Sequence, residues 1–287
     1  MTGRDQADGE AKPSGLREGL LTGSVCVVSG FGSGLGRATA LALAGAGATV
    51  VGCGRRPEPL AETVEMITGA GGVADAESLD IRDADAVDAY FDRLLERHGR
   101  LDVLVNNAGG QFFGPAEEVT AKGLRTVVEL NLIGTWTMTR AAATKAFIAQ
   151  RSGRIISITA SPHNGAPGFM ATMAARAGVE NMTRSLAIEW ARHNITTVAV
   201  AAGAFGSEVV WKKYPKEMTD KWAERTPLGR IGEPAELADL VTFLASPLSR
   251  YITGTTITID GGRDNAERSL PVIREERRTA SEGGPGR

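Results

Sequence analysis

Short runs of β-branched and small apolar residues alternate along the chain with longer stretches whose apolar positions recur at helical spacing. VCVVS (25–29), TVVGC (49–53), LDVLV (101–105), RIISIT (154–159), TTVAV (196–200) and TTITI (255–259) have the length and composition of buried strands, and a weaker one lies near 73–79. Helical patterns cover about 35–45, 58–69, 83–98, 117–150, 170–193 and 234–246, with Pro234 suited to the first turn of the last. Strands alternating with helices specify an α/β fold, a doubly wound parallel sheet covered on both faces.

The pattern also sets the organisation. Residues 1–19 are polar and without periodicity and read as a disordered leader; from 264 onward a charged segment reads as a mobile tail. No repeat or linker interrupts 20–263, which is one domain. In a chain of 287 residues, 42% hydrophobic and 23% charged, there is enough apolar material for a soluble globular core. A net charge of −2 offers no general basic surface, so no nucleic acid partner is expected. No apolar run reaches membrane-spanning length, so no membrane association is expected either. Cys26 and Cys53 fit neither a disulfide framework nor a metal spacing, which points to a reducing cytoplasm and no metal site. Three tyrosines and three histidines leave few groups for proton transfer at neutral pH.

Directly after the first strand comes SGFGSGLG, opening a helix. Gly30, Ser33, Gly34, Leu35 and Gly36 form a turn whose backbone amides can approach a phosphate held at the helix N-terminus. The spacing G-x-x-x-G-x-G, with NNAG at 106–109, LDIRD at 79–83 and ITGTTITIDGG at 252–262, resembles the short-chain dehydrogenase/reductase family over residues 20–263. The resemblance implies a Rossmann-type sheet and a nicotinamide cofactor. It also implies adenine contacts from Asp80 and Ile81, ribose contacts from Asn107, Ala108 and Gly109, and Phe205 and Ser207 flanking the nicotinamide and phosphates. NAD-binding relatives end the second strand on an acid, whereas here Gly54 is followed by Arg55 and Arg56. Removing the acid and adding guanidinium groups favours a 2′-phosphate, hence NADPH. A homo-oligomer, tetramer or dimer, pairing the helices at 117–150 and 170–193 follows from the resemblance as well, as does a substrate lid near 205–226.

The family's catalytic pattern is Asn, Ser, Tyr and Lys. Carried over without gaps, its slots fall on Asn131, Thr159, Thr172 and Arg176. Threonine keeps a hydroxyl but is far too weak an acid to replace tyrosine, and arginine cannot shuttle a proton near neutral pH. Ketone reduction therefore loses its proton donor. NNAGGQFFGPAEEV and MAARAGVENMTRSLAIEWA look most like the trans-2-enoyl-CoA and 2,4-dienoyl-CoA reductase branch. Reduction of a conjugated C=C bond instead needs donors to an enolate oxygen, with Asn131 and Thr172 expected to supply them and Arg176 to hold the nicotinamide ribose. The tyrosines of that branch are replaced by Ser161 and Glu180.

Substitute donors are few. Tyr90 and Tyr251 read as structural, His98 and His193 as helix-end residues, and Tyr214 as an exposed lid tyrosine, with candidate acid or pocket wall as the alternative. His163, just after the fifth strand, is a candidate acid at the edge where ligands bind in this architecture. Phe112, Phe113, Phe169 and the lid residues around Trp211 are expected to shape an apolar pocket for a small-molecule substrate, and Lys212 and Lys213 read as a solvated lid face, with contact to a CoA phosphate as the alternative. The readings carried forward are a reductase of an enoyl or dienoyl thioester or similar alkene, a carbonyl or imine reductase with a non-standard donor, and a non-redox isomerase, cyclase or cofactor-binding pseudoenzyme.

Overall fold

The structure, a computed structural model, describes residues 19–266. Seven strands, β1 (Val25–Ser29), β2 (Thr49–Gly54), β3 (Val73–Ser78), β4 (Val103–Asn106), β5 (Gly153–Ala160), β6 (Ile195–Ala202) and β7 (Thr255–Ile259), form one sheet in the order β3-β2-β1-β4-β5-β6-β7. Every pairing is parallel. Chain direction across the sheet reverses between β1 and β4, which opens a crevice at their C-terminal ends.

Alternation along the strands builds a core on each face. Cys26, Val28, Ile156 and Ile158 point to one side, where they meet Ala40 and Leu43 of α1 (Gly34–Gly45) and Leu237 and Val241 of α10 (Pro234–Ala245). Val27 and Ile155 point to the other, against Phe91 and Leu94 of α3 (Ala84–His98) and Met138 and Ala142 of α5 (Gly134–Ala142). The strands are apolar on both faces because both are covered. Helix α2 (Pro57–Gly69) begins at Pro57, whose fixed φ suits a first turn.

Several elements differ from the sequence pattern. The fourth strand begins at Val103 rather than 101; just before it the Asp102 backbone still bonds Val25 and Arg154, while its carboxylate in place of a backbone carbonyl accepts the Val25 N–H at 2.9 Å. The single helix expected over 117–150 is α4 (Ala121–Val128), α5 and α6 (Ile148–Gln150), joined by widened turns at Glu129–Ile133 and Ala143–Phe147. In the first of these the Gly134 N–H reaches back five residues to the Glu129 carbonyl, a geometry often found at functional sites. At the start of the expected tail, Arg263–Asn265 forms a helical turn in which the Asp264 N–H donates to Asp260, just after β7. The leader, apart from Gly19, and residues 267–287 lie outside the described residues. Among the described residues no helix is long and apolar enough to cross a membrane.

Phe31 anchors the glycine turn. Its ring is fully buried and lies flat on Gly52 of β2, so close that a Cβ there would come within 2.3 Å of it. Gly52→Ala is therefore expected to cost about 1–3 kcal/mol through overpacking. Urea denaturation checks this, and an unchanged midpoint would mean that Phe31 can move aside.

Candidate active site

The ends of β1 and β4 are laced together before any ligand is considered. Ser29 Oγ accepts the N–H groups of Asn107 and Ala108 at 3.1 and 3.0 Å, and Asn107 Nδ2 donates to the Ser29 and Gly30 carbonyls at 3.0 and 3.3 Å. Gly30 takes a left-handed φ of 70°, and a Cβ on Gly36 would lie 2.1 Å from the Gly30 oxygen. No side chain fits there, so α1 starts hard against the turn. Ser33 makes no side-chain capping bond and the first turn of α1 carries no acid. An anion is thus favoured at its amides.

A cleft extends from this turn and is lined by Gly30, Ser33, Arg55, Arg56, Asp80, Ile81, Ala108 and Gly109. Sequence reasoning assigned these residues to one cofactor, and the fold brings them together. Arg55 and Arg56 are exposed at its mouth, Arg56 also standing at the start of α2. Hydrogen bonding from Arg82 holds the Asp80 carboxyl below its ordinary range, and Arg55 adds to the effect. Phe205, Asn107 and Ser207, also expected there, do not line this cleft. Phe205 is buried in the core beside α1 and α10, stacked on Gly232. Asn107 spends its amide on the glycine turn, so it shapes the cleft from behind. Ser207 lies over Gly34 at the start of α8 (Glu208–Lys213) and caps that helix through Val210 N.

The catalytic candidates converge on α7 (Met170–Trp190), where Thr172, Arg176 and Glu180 follow one another at helical spacing and all three are buried. Their fates differ. Thr172 Oγ1 and Arg176 Nη1 have no hydrogen-bond partner, and no carboxylate pairs with Arg176 among the described residues. Burial pulls the Arg176 guanidinium down to about 10, so it stays charged at neutral pH. A Cβ on Gly109 would lie 2.1 Å from Arg176 Nη2, which places the guanidinium against the NNAG turn.

Asn131 is fully buried, with Nδ2 donating to the Gly110 and Val127 carbonyls at 2.7 and 2.8 Å and Oδ1 accepting the Gly110 N–H at 3.2 Å. Both of its donors are used. It is a brace for the turn after β4, which corrects its expected role as an enolate donor. Thr159 does not face the cleft either, because its hydroxyl donates to Glu180 Oε1 at 2.9 Å inside the β5–α7 interface.

His163 is clamped between two acids. Its Nε2 lies 3.1 Å from both Glu180 oxygens, and its Nδ1 bonds Asp264. The Asp264 hydrogen bond raises its pKa, with help from the Glu180 charge. An imidazolium with both nitrogens engaged is a poor free acid, so the geometry corrects that expectation. Tyr214 is buried rather than exposed. Its hydroxyl accepts from Gln111 Nε2, its ring meets Trp222 edge-on at 5.0 Å, and burial raises its pKa. With Lys213 Nζ bonded to the Gln111 carbonyl at 3.0 Å, it latches α8 and α9 (Lys216–Glu224) to the turn after β4. Phe113 and Phe169 pack at 5.0 Å, and with half-exposed Phe112 and Trp211 they give the site an apolar rim.

A family model described as enoyl-(acyl carrier protein) reductase matches residues 30–264. The chain belongs to the short-chain dehydrogenase/reductase family. It is 35% identical over 257 residues to a probable 2,4-dienoyl-CoA reductase of Caenorhabditis elegans, covering 87% of this chain and 83% of that one. It is 36% identical over 243 residues to a 3-oxoacyl-[acyl-carrier-protein] reductase of Thermotoga maritima, covering 84% and 98%. Among solved structures, a citronellol catabolism dehydrogenase of Pseudomonas aeruginosa PAO1 superposes with a TM-score of 0.79 at 36% identity, covering 88% of this chain and 99% of that one. The protein is an oxidoreductase whose family uses a nicotinamide cofactor on small-molecule substrates. The open amides of α1, the glycine approach and the cleft fit such a cofactor.

Sequence reasoning missed Ser29, Glu180 and Asp264. Ser29 was legible as a polar residue closing an apolar strand, and Glu180 as an acid on the buried face of α7 four residues after Arg176. Asp264 carried no local signal. Asn131→Ala should cost about 1–3 kcal/mol by orphaning the Gly110 and Val127 groups, read by thermal unfolding. The raised His163 pKa means that its clamp stabilises the fold fully below the unfolded value near 6.5. That stability is lost as pH rises through the folded value. Unfolding of wild type and His163→Gln across this range checks the sign, since only wild type should lose stability on the alkaline side.

Proposed function

We propose that the protein is an NADPH-dependent reductase of a conjugated C=C bond in an enoyl or dienoyl thioester or a similarly activated alkene. The observation that carries this reading is the buried pair of unpartnered donors, the Thr172 hydroxyl and the Arg176 guanidinium, beside Gly109. Bound NADPH would supply a hydride to the remote carbon of the conjugated bond. Charge would then collect on the thioester oxygen, where Thr172 and Arg176 would hold it as preorganised donors. Such donors act without reorganising, because α7 is packed rigidly against β5 and β6.

Carbonyl reduction is less well served. It needs a proton for the alkoxide, and both His163 and Tyr214 are tied into other bonds. An enolate carbon, by contrast, takes its proton from water once the oxygen is held. Similarity does not decide between the reactions, since the dienoyl-CoA and oxoacyl relatives are about equally identical. The apolar rim of Phe112, Phe113, Phe169 and Trp211 suits an acyl chain, and Lys213 at the lid suits an acidic carrier. Exposed Ile188, and Trp136 stacked on Trp190 at 6.5 Å, lie on α5 and α7 and support a homo-oligomer built through that face.

NADPH consumption with crotonyl-CoA, 2,4-hexadienoyl-CoA and a panel of ketones tests the reading. Thioester turnover well above ketone turnover is expected, and the reverse would overturn it. Thr172→Val and Arg176→Met should each lower kcat by about 10²–10³-fold, as for loss of one oxyanion donor. Arg55→Ala should raise the KM for NADPH roughly tenfold and leave NADH unchanged, equivalent to one charge-assisted contact.

A further inference from the structure

At the opposite end of the sheet from the cleft, a cavity of about 480 Å³ opens where β5 and β6 begin. Its side chains come from Ser152, Arg154, Asn194, Thr196, Arg250 and Tyr251. Two guanidinium groups, three hydroxyls and an amide line it, with no carboxylate. Arg154 and Thr196 are register partners on adjacent strands, so their side chains leave the sheet on the same face. Arg250 follows the helical turn Pro247–Ser249 after α10 and is exposed.

Three observations set this cavity apart from an ordinary surface hollow. Arg154 Nε is buried without a hydrogen-bond partner. The acid that draws on it, Asp102, already has its oxygens engaged by Arg100 at 2.9 and 2.6 Å and by the Val25 N–H at 2.9 Å. Burial accordingly lowers the Arg154 pKa. Second, Arg151 and Asn194, with φ of 51° and 56°, are the non-glycine residues in the left-handed region among those described, and they lie in the turns feeding β5 and β6. That conformation costs an arginine about 1 kcal/mol, and such outliers cluster at ligand sites. Third, Tyr251 is 99% exposed, its ring a bare platform at the rim.

We infer that this cavity binds a phosphate-bearing small molecule with a planar ring, of the size of a mononucleotide. The guanidinium fork matches phosphate oxygens two at a time, and hydroxyl and amide donors complete a tetrahedral shell. The volume falls within the range of small-molecule pockets and exceeds what a single ion fills. The Tyr251 face is suited to stacking a base. This site stands independently of the reaction run at the other end of the sheet.

Calorimetric titration of the full chain with AMP and with inorganic phosphate tests the inference. AMP should bind wild type, and Arg250→Ala and Arg154→Met should weaken it at least tenfold, whereas Arg55→Ala, altered in the dinucleotide cleft, should bind as wild type does. Weakening by Arg55→Ala alone would assign the heat to the dinucleotide cleft and overturn the proposal, as would the absence of AMP binding. AMP binding equal in Tyr251→Ala and wild type would overturn the stacked ring. Arg154 is partly buried, so circular dichroism checks that variant's fold; exposed Arg250 keeps the test decisive if Arg154→Met does not fold.

Discussion

A buried guanidinium without an acid is costly to hold, and much of the site is arranged around Arg176. Charges leave water only at a cost of several kcal/mol unless they are paired. Arg176 has a carboxylate four residues along the same helix face, at the spacing where an ion pair would form. Glu180 does not form it, because Thr159, His163 and Thr256 hold its oxygens on the far side of the helix. His163 is held in turn by Asp264. The clamp that looked like a candidate acid therefore has a different consequence: it leaves Arg176 cationic and unneutralised beside Gly109. Gly109 must lack a side chain because the guanidinium occupies that space, and Asn131 fixes the next residue by both faces of its amide.

What was legible in the sequence was whatever local chemistry dictates. Six of the seven strands announced themselves by β-branched runs, β3 (VADAES) only weakly, and the glycine turn by spacing that only close backbone contact explains. The cleft residues were found because each follows a strand at the same sheet edge. Direction was not legible. Thr159 and Thr172 are both hydroxyls in expected slots, yet one is turned into the β5–α7 interface and the other is left without a partner. Nothing within a few residues of Thr159 decides this; Glu180, on the helix packed over its strand, does. Tyr214 was misjudged for the same reason, since Gln111 and Trp222 bury it from separate segments.

The two ends of a parallel sheet are chemically unequal, and this chain uses the inequality. At the C-terminal ends of the strands, helices begin, and their open amides favour anions. At the N-terminal ends, helices finish, and cations accumulate to meet their carbonyls. Arg151 and Arg192 stand there, the first donating to the carbonyl of the second at 3.0 Å. A cation requirement of this kind explains why arginines gather near the starts of β5 and β6, but not why Arg154 Nε is left without a bond inside a cavity. The helix ends account for the exposed members of that group alone.

Family likeness and the active site answer different questions. About a third of positions are shared with a protein named for reducing a C=C bond and with one named for reducing a C=O bond, so likeness of this degree carries the family and not the reaction. The proposed reaction rests instead on a few residues of the site. Here those residues withhold an acid and supply a fixed cation and a free hydroxyl, an arrangement that stabilises negative charge on oxygen without delivering a proton to it. Chemistry that ends on an alkoxide needs the proton as part of the same event, whereas chemistry that ends on an enolate can wait for it. The absent tyrosine and the unpaired arginine therefore bear on the same choice, and both weigh toward the enolate.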